Sequence, residues 1–245
     1  MARILETIDL VKKFGGLVAV NNLKFAIDEG EVRGILGPNG SGKTTFFLLV
    51  TGVLSADSGK IIFKGEDITR MRPHQIAKRG LGATFQLVNV FPRMTVHDNI
   101  AVSTNSTTTR PWDLTSNLRT DETEKVNEIL RLMQLDTKTN ELACNLAYGD
   151  QKLLEMAVAL GTNPKLLLLD EPTSGVSLLE SARIAECIRE ISKTRTIIII
   201  EHDIDFVLKL AQNVTVFNEG SILAEGPSSR ILENEDVKRI YMGEA

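Results

Sequence analysis

Gly37-Pro38-Asn39-Gly40-Ser41-Gly42-Lys43-Thr44-Thr45 is the stretch on which the reading of this chain turns. It follows Val32-Arg-Gly-Ile-Leu36, an apolar run of the length of a buried strand, and leads into Phe46-Phe-Leu-Leu-Val50, which reads as a helix. The glycines let successive backbone N–H groups converge on one concavity. The helix adds unpaired N–H donors and the positive end of its dipole. Lys43 has the length to reach outer phosphates, and the Thr44 hydroxyl can ligate Mg2+. Strand, G-x-x-x-x-G-K-[ST] and helix in succession form a phosphate-binding loop in its required context, so the chain is read as binding a nucleoside triphosphate.

Working outward, the 245 residues are 42% hydrophobic and 24% charged, which suits one α/β domain with a smaller lobe. A net charge of −4 disfavours a nucleic-acid partner. Cys144 and Cys187 lie far apart without metal-type spacing, as in a reducing compartment, and Cys187 falls on a helical core stripe with Ile184, Ile188 and Ile191. No apolar run approaches bilayer length and no signal-peptide pattern opens the chain, so a cytoplasmic protein is expected, with any membrane role requiring a separate spanning partner.

Ile4–Leu10 and Leu23–Ile27 read as strands of an N-terminal antiparallel lobe, with Phe14 in the link between them. Lys60–Phe63 and Leu81–Gln86 read as strands, with Pro73–Arg79 a short helix. The polar stretch Ser103–Trp112 begins an excursion to about residue 121. Glu124–Leu132 and Asp150–Leu160 read as helices. Lys165–Asp170 and Thr196–His202 are apolar strands ending in polar groups, separated by a helix over Glu180–Ile191. Val214–Phe217 and Ser221–Ala224 form a hairpin, and Val237–Tyr241 a last helix. Continuous apolar strands alternating with helices predict a mostly parallel sheet covered on both faces.

In such sheets ligands bind beyond the carboxyl ends of the strands. Gly37–Thr44, Gln86, the Asp170-Glu171 pair and His202 each follow a strand, so all four are expected to meet one nucleotide. Asp170 is placed to hold Mg2+ and Glu171 to accept a proton from attacking water. Pro172-Thr-Ser-Gly175 delays the next helix, which weakens the alternative that the acids merely cap it.

These residues resemble the ATP-binding subunit of an ABC transporter over nearly the whole chain. Gly37–Thr45 is similar to the Walker A loop, Gln86 to the Q-loop glutamine, Leu166–Asp170 with Glu171 to Walker B and the catalytic glutamate, and His202 to the switch histidine. Leu146-Ala147-Tyr148-Gly149-Asp150-Gln151 is similar to the signature, Ser174–Ser177 to the D-loop, and Phe14 to an adenine-stacking aromatic. The resemblance implies a P-loop ATPase with a mostly parallel core over about 1–85 and 160–245, and a helical subdomain over about 87–160. It implies catalytic roles for Lys43, Glu171 and His202, and Mg2+ held by Thr44, Gln86 and Asp170. A second ATPase subunit would sandwich ATP between Walker A and the facing signature. Membrane-spanning permease subunits would dock near Gln86, holding the chain on the inner face of the membrane.

Ala147 stands where the signature serine is usual, Asp150 where a glutamine is usual, and Ser177 where the D-loop has aspartate. Asp150 is expected to bring negative charge near the phosphates. This variant pattern and the tail Ala224-Glu-Gly226 through Ile240-Tyr-Met-Gly-Glu244 resemble ATPases of branched-chain amino acid importers. Urea and lipopolysaccharide transport ATPases are the near alternatives. A non-transport ABC ATPase is disfavoured by the single ATPase unit and the acidic charge. A small-molecule kinase is disfavoured because it has no use for the signature or His202.

Overall fold

Alternation along the apolar strands explains the layering. In the computed structural model, which describes residues 2–105 and 120–242, Leu166 and Leu168 face one side of the sheet and Leu167 and Leu169 the other. All four are fully buried, so both sides of this strand lie inside packed layers. The same division runs through Ile197–Ile200.

In chain order the elements are β1 (Arg3–Phe14), β2 (Leu17–Leu23), β3 (Ala26–Asp28), β4 (Val32–Leu36), α1 (Lys43–Val50), β5 (Ser58–Phe63), β6 (Glu66–Asp67), α2 (Pro73–Lys78), β7 (Leu81–Thr84), α3 (Val96–Asn105) and α4 (Thr120–Leu132). Then follow α5 (Tyr148–Gly161), β8 (Leu166–Asp170), α6 (Leu178–Ser192), β9 (Thr196–Ile200), α7 (Ile204–Leu210), β10 (Asn213–Asn218), β11 (Ser221–Pro227) and α8 (Glu235–Met242). One sheet has the order β11-β10-β4-β9-β8-β7 and is parallel except for the β10–β11 hairpin. The other is antiparallel, β2-β1-β5-β6 with β3 also on β1. Between the sheets lies α1, where Phe25, Phe46 and Phe217 meet edge to face at centroid separations of 5.1 and 5.5 Å. Helices α3 to α7 cover the opposite face of the parallel sheet.

Three sequence expectations need correction. Phe14 is the last residue of β1 rather than part of a link, and Gly15-Gly16 is a two-residue turn that pairs Phe14 with Leu17. A strand over Leu23–Ile27 is not present as such: β2 ends at Leu23, and β3 starts at Ala26 on the other side of β1. The strands before Gln86 and His202 end two residues early, at Thr84 and Ile200, which leaves both side chains on loops. Most of the polar excursion, residues 106–119 with Trp112, lies outside the described residues.

Candidate ATPase site

Sheet order decides which polar groups meet. Strands β4, β9, β8 and β7 are consecutive neighbours and parallel, so the phosphate loop, His202, Asp170-Glu171 and Gln86 leave the sheet along one edge. Glu171 is the meeting point. It receives a hydrogen bond from Gln86 Nε2 at 2.9 Å and stands 2.5 Å from His202 Nε2. Its backbone is left-handed, φ 48°, a conformation uncommon for glutamate that turns the chain out of the sheet. Its N–H bonds the Ile200 carbonyl, which fixes that turn against β9.

Lys43 opens α1 and is buried, its Nζ donating to the carbonyls of Gly37 (2.6 Å) and Pro38 (3.0 Å). The loop is thus held closed around its own lysine. Burial pulls the Lys43 pKa down, and the Glu171 and Asp170 carboxylates oppose that pull. Gly42 has φ 102°, and a Cβ there would lie 2.5 Å from the Ala19 carbonyl of β2, so the helix start and the hairpin arm approach as only glycine allows. Phe14 stands half-exposed at the tip of that arm, with Lys12 Nζ 5.5 Å from its ring centroid. Thr44 is exposed, Thr45 partly buried, and Ser41 buried with its hydroxyl unpartnered.

Asp170 is the group that asks for a cation. Its Oδ1 is buried and has no hydrogen-bond partner. Burial first, and then the nearby Glu171 and Glu201 carboxylates, push its pKa up to about 6. An anionic oxygen left without a donor at the end of a strand fits a hard divalent ion that completes its shell with a hydroxyl, phosphate oxygens and water. Thr44 is the hydroxyl available at the phosphate loop. Gln86 is engaged with Glu171 instead.

Three residues at this edge were not singled out from the sequence. Glu201 is buried and accepts from the Thr173 N–H (2.8 Å), the Thr173 hydroxyl (2.6 Å) and the His202 N–H (3.1 Å). Lys152, on α5, reaches the Gln86 carbonyl at 2.8 Å. Glu155, one turn on, takes the Phe85 N–H at 3.1 Å, and burial raises its pKa to about 7. Lys152 and Glu155 are polar at i, i+3 within an apolar helix, which was the available sequence signal.

The 146–151 stretch lies elsewhere, at the start of α5. Ala147 is the N-cap and makes no side-chain cap bond, while the Gln151 side chain donates to the Leu146 carbonyl at 3.1 Å. Asp150 does not carry free charge toward the surface: its side chain is 4% exposed and clamped by Lys138 and by Arg183 (2.5 Å). Burial pushes its pKa up, but these two cations outweigh burial and the net shift is downward. Ser177 is the N-cap of α6 in a capping box with Glu180. Glu180 also lies against Gly149, where a Cβ would sit 2.5 Å from Glu180 Oε1. Half-exposed Tyr148 covers Gly175, while Leu178 and Leu179 are 90% and 82% exposed.

A phosphate loop backed by strand-end acids, a glutamine and a histidine defines a P-loop ATPase. Residues 20–174 match the ABC transporter family, and the chain belongs to it. It is 38% identical to the probable branched-chain amino acid transport ATP-binding protein LivG of Archaeoglobus fulgidus, covering 98% of this chain and 96% of that one. It is 33% identical to the lipopolysaccharide export system ATP-binding protein LptB of Escherichia coli, covering 96% and 95%. Among solved structures, the ADP conformation of the ATP-binding cassette MJ1267 superposes with a TM-score of 0.87 at 33% identity, covering all of both chains.

Proposed function

We propose that this ATPase is the motor subunit of an importer for branched-chain or other hydrophobic amino acids, seated on the inner face of the membrane against spanning permease subunits. The catalytic reading is carried by Glu171, a carboxylate positioned by Gln86, His202 and the Ile200 carbonyl beside a buried lysine. Near-full-length identity to LivG supports the cargo. Identity of 33% to LptB supports lipopolysaccharide export as the second reading.

In this reading Lys43 exchanges its two carbonyl contacts for the outer phosphates of ATP, and the N–H groups of Gly37–Thr45 cradle them. Mg2+, held by Thr44 and Asp170, supplies charge neutralisation when bound. Glu171 orients and deprotonates the attacking water, and His202 contacts the outermost phosphate. The signature face, Ala147–Gly149 with bare Leu178 and Leu179, meets a second ATPase subunit. Permease contact falls on the apolar cavity of about 280 Å3 bordered by Val53, Ile76, Phe85 and Val158, beside exposed Leu87 and Phe91.

Replacing Glu171 with Gln is expected to keep ATP affinity while lowering turnover by roughly a hundredfold or more. Phosphate release and equilibrium ATP binding on the same preparation measure both, and unchanged turnover removes Glu171 from the base role. Recovery of the spanning proteins that co-purify from membranes tests the transport reading and its cargo.

A further inference from the structure

The opposite end of the parallel sheet holds a second feature. A cavity of about 500 Å3 opens where β7 and β8 begin, and Lys64, Lys78, Arg79, Lys125, Lys165 and Arg195 all line it. Glu128 is the one carboxylate in that lining among the described residues. The concentration is unusual for a chain whose net charge is −4.

Helix ends do not account for it. The C-termini of α2, α3, α4 and α5 reach the cavity, and each offers about half a negative charge. Glu66 neutralises Arg79 from outside, through bonds of 2.7 Å to Nε and to a terminal nitrogen. With Glu128 counted, roughly two positive charges remain uncompensated among the described residues. The side chains of Lys64, Lys78, Lys125 and Lys165 make no hydrogen bond or ion pair among the described residues. Arg195 is held by Asn163 Oδ1 at 2.8 Å and the Thr194 carbonyl at 3.2 Å, yet its Nε is buried without a partner. Its terminal nitrogens, rather than this Nε, are the groups that an anion in the cavity could meet. Ile129, Leu132 and Leu160 form an apolar wall on one side.

We propose that this cavity is a second, non-catalytic binding site for a small soluble molecule bearing several phosphates and an apolar portion. The volume is that of an ordinary small-ligand pocket, apolar on one wall with convergent charged groups on the others. The site is separate from the ATPase edge. The helix α5 runs for about 20 Å between the signature at its start and the cavity at its end, and β8 runs from Leu166, next to Lys165 here, to Asp170 there. A ligand here would therefore touch both elements that carry the chemistry without touching ATP.

The test is calorimetric titration of the full chain, its catalytic site saturated with ADP, with inorganic tripolyphosphate. One equivalent is expected to bind, more weakly as salt is raised. The double substitution Lys78→Gln with Lys165→Gln is expected to weaken that binding about tenfold or more, with ADP affinity unchanged. The pair Lys78→Arg with Lys165→Arg should retain it, which separates lost charge from lost folding. No binding with ADP present, or binding indifferent to the Gln pair, overturns the proposal. So does binding to phosphatidylglycerol vesicles without binding to tripolyphosphate, which would assign the charge to a lipid surface.

Discussion

The strand-end half of the ATPase edge and the signature half are finished to different degrees. At the strand ends Lys43, Asp170 and Glu201 are buried, and Gln86 and His202 already converge on Glu171. At the signature, Leu178 and Leu179 are bare, Ala147 makes no side-chain cap bond, and Glu180 packs against Gly149. One sheet can complete the first half because its parallel strands deliver their ends side by side. The second half is a helix start on an outer surface, and nothing within the chain covers it among the described residues. The contrast teaches that binding and closure are separable, so substitutions should affect them separately.

The largest separation is expected at Lys43. Lys43→Ala should lower nucleotide affinity by roughly a hundredfold, since it removes a buried charge facing phosphates, and equilibrium binding of a fluorescent ATP analogue reads it. Next, Leu178→Asp with Leu179→Asp should leave affinity alone and weaken ATP-dependent self-association by about tenfold, read by sedimentation with Glu171→Gln as the background. Equal dimer yield would mean that this face is not the interface. Acid should then loosen the metal. With its pKa near 6, Asp170 is neutral below that pH, and protonation competes with Mg2+. Apparent Mg2+ affinity in the ATP complex should hold above pH 7 and fall about tenfold by pH 5. An affinity independent of pH across that window would take Asp170 out of the metal shell. The smallest effect is expected at Ala147→Ser, which supplies the absent cap and should raise unfolding stability by about 1 kcal/mol in thermal or urea denaturation. Stronger dimerisation beyond that gain would show that the hydroxyl also reaches across the interface.

How much of this was legible in the sequence depended on the range of the forces involved. Leu166–Asp170 and Thr196–Ile200 announce themselves because two-sided burial leaves a continuous apolar run, and their polar ends locate the site. The arm β2 is silent in the sequence because Asn21-Asn22 interrupts the apolar run of Leu17–Leu23, and because Gly15-Gly16 joins it to β1 in a tight hairpin across a stretch that reads as a link. Asp150 was misplaced for a different reason. Its partners Lys138 and Arg183 lie 12 and 33 residues away, and no local pattern pairs them. The turn of Glu171 into left-handed backbone was equally silent, since glutamate does not advertise it as glycine would.

The buried Glu201 has a consequence for timing. Because one carboxylate grips both the His202 N–H and Thr173, two residues beyond Glu171, the histidine and the acid loop ride on a common strut. On the proposed role of His202 at the outermost phosphate, loss of that phosphate would bear through this strut on the segment that leads through Gly175 to Tyr148 and the signature helix. In that reading Glu201 is a positioning residue, which ties the histidine loop to the acid loop, rather than a reagent.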